Sequence, residues 1–296
     1  MKSRSLKLVI SVVVLSLVLG LSGGLVAQAQ DEEYTVGTSA DWPPFELVDE
    51  NGNIVGFDAD VMRAIGLIEG YEVKIRDMSF DALIPALKSG KVDIVAAGLT
   101  ITDERDKVID YTNPYWDANQ GVLVRKDSPL NVVTALSMGH KVGAQRGTTQ
   151  AGWLEDNLVK KDVNINLNLY DTNDLAIMDL KNGRIDAFMA DTPAARTFNT
   201  LNPELKMVGI VMTGEHLGFA VQENDPKGLL PKLNDGLEEL RVTGIYDNLK
   251  EAYFGPSSDL DRITKCFSKS RHYLEEEEDP AAYAMDLRTC MAGEDE

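Results

Sequence analysis

The sequence predicts an α/β fold built from two similar lobes, and two observations carry this prediction. Strand patterns alternate with helical patterns from Tyr34 to Gly255, which favours mostly parallel sheets covered by helices. In addition, the stretch LKSGKVDIVAAGLTITDER, which begins at Leu87, has a near copy, LKNGRIDAFMADTPAAR, which begins at Leu180. Each copy reads as a helix end, a glycine, a buried strand and a polar tip. We therefore expect two lobes whose polar tips face a common cleft.

The elements of the first lobe follow from local patterns. A strand is expected at Tyr34–Thr38, and DWPPF after it cannot be helical because each proline restricts the residue before it. FELVDENGNIVGF predicts a β-hairpin around Asn51-Gly52, and the next helix has Asp58 as its expected N-cap. YEVKIRDMS predicts a strand, FDALIPALKSG a helix that ends at Gly90, and KVDIVAAG a buried strand.

The same alternation continues through the second lobe. HKVGAQRGTTQAGWLEDNL predicts a strand, a glycine turn and a helix, and INLNLYDT, NDLAIMDLKNG, RIDAFMAD, TPAARTFNTL and LKMVGIV continue the pattern. QGVLVRK and HLGFAV flank this unit and predict two crossovers between the lobes, a geometry suited to hinge closure. Two amphipathic helices then return to the first lobe. The predicted first lobe comprises residues 30–125 and 216–256, and the second comprises residues 126–215.

Both ends of the chain differ from the lobes. Residues 1–29 contain basic residues, an apolar run and AQA, which predicts a cleaved secretory signal peptide; an uncleaved anchor is the alternative. Residues 257–296 form an acidic C-terminal extension that predicts short helices. Its cysteines, Cys266 and Cys290, are the two in the chain, and we expect them to form a disulfide in an oxidising compartment.

Composition excludes several classes of function. The formal net charge of −19 argues against nucleic-acid partners and anionic membrane surfaces. After the signal peptide no segment is apolar enough to insert into a membrane. The three histidines are scattered, and none lies at ligand spacing from a cysteine, so we expect neither a metal nor a cofactor. We expect an exported, soluble monomer.

The two polar tips offer opposite charges to the cleft. Thr100 and Arg105, in the first tip, supply a hydroxyl and a planar guanidinium that suit a carboxylate. Thr102 and Asp103, between them, are expected to cap a following helix. Asp191, in the second tip, supplies a carboxylate that suits an ammonium group. Simpler roles stay open, because Arg105 could be a solvated surface cation and Asp191 the N-cap of the next helix.

Other residues could complete such a site. Thr148 and Thr149 follow Gly147 and precede a helix, so their backbone N–H groups could bind an anion. Trp42 and Phe80 could either wall in a ligand side chain or lie in the core.

Taken together, several stretches resemble the extracytoplasmic amino-acid-binding proteins of ABC transporters, family 3 of the bacterial solute-binding proteins. They are GTSADWPPFE, GFDADV, FDALIPALKSGKVDIVAAGLTITDER, YTNPY, GTTQ, LKNGRIDAFMADTPAA and GIYDNLKEAYFG, and they extend from about Tyr34 to Gly255. The resemblance implies a type II periplasmic-binding-protein fold that closes on one free L-amino acid. It also implies a periplasmic location and the membrane permease of an ABC transporter as partner.

The resemblance implies roles for individual residues. Arg105 matches the arginine that binds the ligand α-carboxylate, with hydrogen bonds added by Thr100 and Thr149. Asp191 matches the aspartate that binds the α-ammonium group, helped by the carbonyl of Gly98. The aromatic pair matches the walls of the side-chain pocket. The complete expected ligand-binding set is Ser39, Asp41, Trp42, Phe80, Ala97, Gly98, Thr100, Arg105, Gln145, Thr148, Thr149 and Asp191.

One departure bears on the ligand. Ser39 and Gln145 fall where relatives read the end of the side chain, and relatives selective for cationic amino acids or glutamine often carry Asp in place of Ser39. This departure favours a neutral polar or apolar side chain, although Asp41 nearby could compensate.

Two other functions remain as alternatives. Enzymes similar to cyclohexadienyl or arogenate dehydratases use the same scaffold but need an additional acid or base in the cleft. Thr192, Pro193 and Ala194, which follow Asp191, offer no second carboxylate. A ligand-sensing receptor domain is the other alternative. We expect a binding protein and not an enzyme.

Overall fold

The computed structural model describes residues 32–255, 266, 269–270, 273 and 279–292. The expected signal peptide at residues 1–29 lies outside this range, as does most of the extension at residues 257–296. Among the described residues, no helix combines the length and the apolar character needed to cross a membrane.

The first lobe is built on a five-stranded sheet with the order β5-β1-β6-β13-β7, in which β13 runs antiparallel to its neighbours. Its strands are β1 (Glu32–Thr38), β5 (Tyr71–Asp77), β6 (Ile94–Val95), β7 (Ile109–Tyr111) and β13 (Ala220–Gln222). Its main helices are α1 (Phe57–Glu69), α2 (Phe80–Lys88), α7 (Leu229–Val242) and α8 (Ile245–Phe254). A small antiparallel sheet adds β2 (Asp41–Trp42), β3 (Glu46–Val48) and β4 (Ile54–Val55).

The second lobe has its own five-stranded sheet, with the order β10-β9-β11-β8-β12. Its strands are β8 (Trp116–Arg125), β9 (His140–Gln145), β10 (Ile165–Tyr170), β11 (Ala187–Asp191) and β12 (Leu205–Leu217). Its helices are α3 (Val132–Ala135), α4 (Thr149–Asn157), α5 (Asn173–Lys181) and α6 (Thr192–Leu201). The structure thus confirms the predicted α/β fold with two similar lobes.

The chain passes between the two sheets at two places, once between β7 and β8 and once between β12 and β13. A bridge between Thr100 and Leu217 ties the second passage to the first lobe. The long strands β8 and β12 pair with each other in the second sheet. The predicted lobe boundaries at residues 125 and 216 remain a prediction.

Most local predictions are confirmed, and two are wrong. The predicted hairpin is present, because β3 and β4 pair antiparallel on either side of Asn51-Gly52. Asp58, however, does not cap α1: the helix begins at Phe57, and Gly56 is its N-cap. A Cβ at Gly56 would lie 2.3 Å from the carbonyl oxygen of Phe45, so this tight passage requires glycine. Asp58 therefore turns inward and is completely buried.

The first polar tip differs from its prediction as well. The sequence led us to expect a helix after Thr102, but a short 3-10 turn at Arg105–Lys107 takes its place. The Thr102 hydroxyl still accepts the N–H of Arg105 at 3.2 Å. The tip is therefore a compact turn and not a helix N-terminus.

The C-terminal extension packs against the first lobe. Its last helix, α9 (Pro280–Ala292), carries Tyr283, whose hydroxyl donates to the buried carboxylate of Asp60 on α1. Tyr253 on α8 donates to the same carboxylate. The predicted disulfide is confirmed, since the sulfur atoms of Cys266 and Cys290 lie 2.07 Å apart.

Candidate functional site

The polar tips of the two lobes meet across a cleft, and two threonine hydroxyls mark the meeting point. Thr100 follows β6 in the first lobe, and Thr149 is the first residue of α4 in the second. Their Oγ1 atoms lie 3.3 Å apart. Thr148 serves the helix instead, because its hydroxyl accepts the N–H of Ala151 as N-cap and donates to the Gln145 carbonyl.

The guanidinium group of Arg105 joins the two lobes at this point. Its Nη1 donates to the Thr100 carbonyl at 2.8 Å, and its Nη2 donates to the Gly147 carbonyl of the second lobe at 2.9 Å. The guanidinium carbon also lies 5.7 Å from the centre of the Phe80 ring, a distance at which a cation is attracted to an aromatic face. Arg105 is therefore held at the cleft and is not a freely solvated cation.

Asp191 ends β11 with a buried carboxylate. The side chain occupies the N-cap position of α6 but makes no capping hydrogen bond. Instead its Oδ1 accepts the side-chain amide of Gln120 at 2.8 Å. Burial, reinforced by the negative charge of Glu215, raises the pKa of Asp191 to about 7. A cation beside Asp191 would stabilise its ionised form.

Glu215 is a polar residue of the cleft that the sequence analysis missed. It lies on β12, and its Oε2 accepts hydrogen bonds from Gln120 at 2.8 Å, Thr149 at 2.9 Å and Thr100 at 3.3 Å. A hydroxyl that donates to Glu215 keeps its lone pairs for another donor. Exposed and partly buried residues alternate along this part of β12, so no local pattern distinguishes Glu215 from a solvent-facing residue.

Aromatic and small residues line the first lobe beside these polar groups. Trp42 and Phe80 are both buried, with exposed fractions of 5% and 9%. Gly98 has a φ of 54°, and a Cβ added there would lie 3.6 Å from Trp42 Nε1, so glycine allows the backbone to approach the indole. Ala97 packs into the core of the first lobe. Within the part of the chain that the structure describes, the buried Trp42 Nε1 has no hydrogen-bond acceptor.

Asp41 reaches from the first lobe to the second. Its Oδ2 accepts the backbone N–H of Asn173 at 2.6 Å, and its Oδ1 accepts the side-chain amide of the same residue at 3.2 Å. The amide nitrogen of Gln145 lies 3.4 Å from both carboxylate oxygens, and the Ser39 hydroxyl donates at 3.2 Å. Ser39 and Gln145, both in the predicted set, thus hydrogen-bond to Asp41 of the same set, and so does Asn173.

Glu46 and Asp58 are two further buried carboxylates of the first lobe, and neither was predicted as part of the site. Glu46 on β3 is 1% exposed, and within the described chain neither of its carboxylate oxygens accepts a hydrogen bond. Burial raises the pKa of Glu46, and the charges of Asp58, Asp41 and Asp191 raise it further. Glu46 therefore lies within electrostatic reach of acids from both lobes.

Asp58 is the second of these carboxylates. Its Oδ2 accepts the N–H of Gly98 at 2.9 Å and the hydroxyl of Tyr115 at 2.7 Å, whereas its buried Oδ1 has no donor in the described structure. Burial raises the pKa of Asp58 to about 7. Unpaired buried carboxylates are costly, so the oxygens of Glu46 and Asp58 that lack donors would be stabilised by a cationic partner.

Two α/β lobes that close over a buried polar cleft define a two-lobe solute-binding protein. More particularly, the chain belongs to family 3 of the bacterial extracellular solute-binding proteins, whose model matches residues 34–256. The ABC transporter arginine-binding protein 1 of Escherichia coli K12 is 33% identical over 253 residues, which cover 84% of this chain and 98% of the relative. A probable histidine-binding protein of Neisseria gonorrhoeae is 34% identical over 75% of this chain and 82% of its own.

Solved structures agree with this assignment. An ancestral arginine-binding protein bound to arginine is 40% identical, with a TM-score of 0.71 over 75% of this chain and 98% of its own. The holo form of ArgBP from T. maritima is 43% identical, with a TM-score of 0.65 over 75% of this chain and 96% of its own.

Proposed function

We propose that this protein binds a free amino acid with a cationic side chain, of the arginine type, and delivers it to the permease of an ABC transporter. The observation that carries the choice of side chain is the pair of buried carboxylates of Glu46 and Asp58, which together present three oxygens without hydrogen-bond donors in the described chain.

The backbone end of the amino acid would lie between the polar tips. Arg105 provides the cation, and the backbone N–H of Thr149 at the start of α4 a further donor, for the α-carboxylate. The Thr100 hydroxyl, which donates to Glu215, keeps lone pairs that can accept from the α-ammonium group. Asp191 provides the opposite charge for the α-ammonium group, and the buried Oε1 of Gln120, which accepts no hydrogen bond from any described group, can receive one of its protons. These unlike ends would fix the orientation of the ligand, since reversing it would bring like charges together.

The side chain would extend from this point along Trp42 towards Glu46 and Asp58. A guanidinium group has five N–H donors in a planar fork, which suits two carboxylates better than a neutral amide does. A cationic group would also favour the ionised forms of both acids, whose pKa values burial raises. Ser39 taken alone favours a neutral side chain; we propose the cationic one because Glu46 and Asp58 are buried acids with three oxygens that lack donors in the described chain.

The relatives support this choice and the biological setting. Proteins named as arginine-binding occur among the similar sequences and among the similar structures. We propose that the protein acts in the periplasm after removal of its signal peptide, that it docks as a monomer on its permease, and that it has no catalytic activity.

Calorimetry with purified protein, freed of bound ligand by partial unfolding and refolding, tests the proposal. L-Arginine should bind most tightly and L-lysine next. The neutral amino acids L-citrulline and L-glutamine should still bind, but at least about 30-fold more weakly than arginine, because citrulline keeps the shape of arginine and both lack its charge. Equal affinity for arginine and citrulline would contradict the cationic assignment. Absence of binding to every free amino acid would contradict the proposed function as a whole.

A further inference from the structure

We propose that Asp41 is a latch between the lobes and not a ligand contact: its carboxylate holds the closed form by accepting hydrogen bonds from the start of α5 and from Gln145. This inference rests on the proposed function only in that closure serves amino-acid binding. We call Asp41, Gln145 and Asn173 the Asp41 latch.

The bonding capacity of the Asp41 carboxylate is used by protein groups. The backbone N–H of Asn173, at 2.6 Å, is one of the donors at the N-terminus of α5 that the helix itself cannot satisfy. The Asn173 amide and the Gln145 amide add bonds from the same lobe, and Ser39 adds one from the first lobe. An ionised carboxylate accepts about four hydrogen bonds, so little capacity remains for a ligand.

The helix N-terminus also contributes to the latch. Burial raises the pKa of Asp41 and the charge of Asp174 adds to the rise, whereas the hydrogen bonds from Asn173, at the positive end of α5, lower the pKa and favour the ionised form. The Gln145 side chain is held in place for its contact with Asp41, because its Oε1 accepts a hydrogen bond from the side-chain amide of Asn173 at 2.9 Å. The donors from the second lobe to Asp41 are a backbone N–H and two side-chain amides, so these bonds can form whichever amino acid the cleft holds.

The loop that carries Asp41 is anchored independently in its own lobe. Asp77, at the end of β5, accepts the N–H of Ala40 at 2.9 Å, and this contact does not cross the cleft. Asp77→Ala is therefore a matched control, because it loosens the same loop without removing a bond between the lobes.

Two substitutions test the latch from opposite sides. Asp41→Ala removes the acceptor. Asn173→Pro removes both Asn173 donors at the first position of α5, where proline suits helix geometry. Thr172 before it has φ −131° and ψ 152°, an extended conformation that tolerates a following proline. Each variant and the double variant are compared with the unchanged protein.

If Asp41 is a latch, Asp41→Ala lowers the affinity for L-arginine and for L-glutamine by the same factor, about 10- to 100-fold. The reason is that the lost bonds to the Asp41 carboxylate exist only in the closed form, whichever ligand is bound. The double variant binds no more weakly than Asp41→Ala, because Asp41→Ala already removes both bonds between the lobes that Asn173→Pro removes. Weakening of arginine alone would make Asp41 a ligand contact and overturn the proposal. Additive losses, or an equal loss in Asp77→Ala, would overturn it as well.

Small-angle scattering of the ligand-free proteins separates this inference from the proposed function. The latch predicts a larger radius of gyration for Asp41→Ala than for the unchanged protein, even if no amino acid binds. Equal radii for the two ligand-free proteins would refute the latch while leaving the ligand assignment untouched.

Discussion

Replacing Glu46 by Gln tests the side-chain pocket most directly, because it removes a charge and preserves the shape. Glu46 is buried and its carboxylate oxygens have no donor in the described chain, so a bound guanidinium would be its only strong partner there. Truncating one member of a buried charge pair typically costs about 2–5 kcal/mol. We therefore expect Glu46→Gln to lower the affinity for L-arginine by about 30- to 5,000-fold.

The comparison ligand and the control variant make this result specific. L-Citrulline is neutral, so its affinity for Glu46→Gln should stay within a few-fold of its affinity for the unchanged protein. Glu50→Gln alters an exposed acid in the turn of the same hairpin, and it should change neither affinity. Isothermal titration calorimetry on the three proteins with the two ligands gives all six values.

The stability of the ligand-free protein provides a second readout with an expected sign. The pKa of Glu46 is raised above its ordinary value of 4.5, so above that pH the folded state binds more protons than the unfolded state. The contribution of Glu46 to stability is therefore present at low pH and is lost as pH rises. Glu46→Gln should remove this loss, and its melting temperature at pH 8 should not fall below that of the unchanged protein. Unchanged arginine affinity together with a large drop in melting temperature would refute the reasoning and make Glu46 a structural residue.

Three further predictions concern the ammonium site, closure and the extension. Burial is the main cause that raises the pKa of Asp191 to about 7, and an ammonium ligand needs the ionised carboxylate. The affinity for L-glutamine should therefore fall up to about tenfold per pH unit below 7. In calorimetry from pH 5 to 8, Asp191→Asn should bind L-glutamine weakly and without this pH dependence. Gly147 has a φ of 80°, and a Cβ there would lie 3.1 Å from the Asp81 side chain of the other lobe, so Gly147→Ala should hinder closure and weaken arginine and glutamine alike in calorimetry; undiminished affinity would show that the lobes do not approach so closely. Tyr283→Phe removes a donor to the buried Asp60 and should cost about 1.5–3 kcal/mol of unfolding free energy in urea titrations, whereas Met285→Leu, at a residue that is 52% exposed on the same helix, should cost little.

The fold could be predicted from the sequence because its information is local. The repeated pattern around Leu87 and Leu180 contains a helix end, a glycine and an apolar strand, each recognisable within a few residues. Asp58 shows the limit of such patterns: an acid just before an apolar helix resembles an N-cap, and only the close passage of Gly56 against Phe45 moves the helix start and turns Asp58 inward.

The side-chain pocket depended on contacts that no local pattern records. Asp41 and Asn173 are 132 residues apart in the sequence, and their bonds exist only when the lobes meet. Glu46 occupies a hairpin strand in which an acid usually faces solvent, and Glu215 lies on a strand of alternating exposure. In contrast, the unlike charges of Arg105 and Asp191 were visible because both fall in the polar tips that follow the repeated apolar strand.

The position of Tyr283 has a consequence for the order in which the chain can fold. The first lobe is discontinuous: α1 is synthesised early and its Arg63 pairs with the buried Asp60, but two further donors to Asp60, Tyr253 and Tyr283, lie near the opposite end of the chain. A chain made from its N-terminus must therefore complete the whole second lobe before the first can acquire its final hydrogen bonds. Until then the carboxylate of Asp60 lacks the hydrogen bonds from these two tyrosines. The last helix therefore adds its hydrogen bond to Asp60 after all the other donors have been synthesised, and a chain truncated before it should have a less stable first lobe.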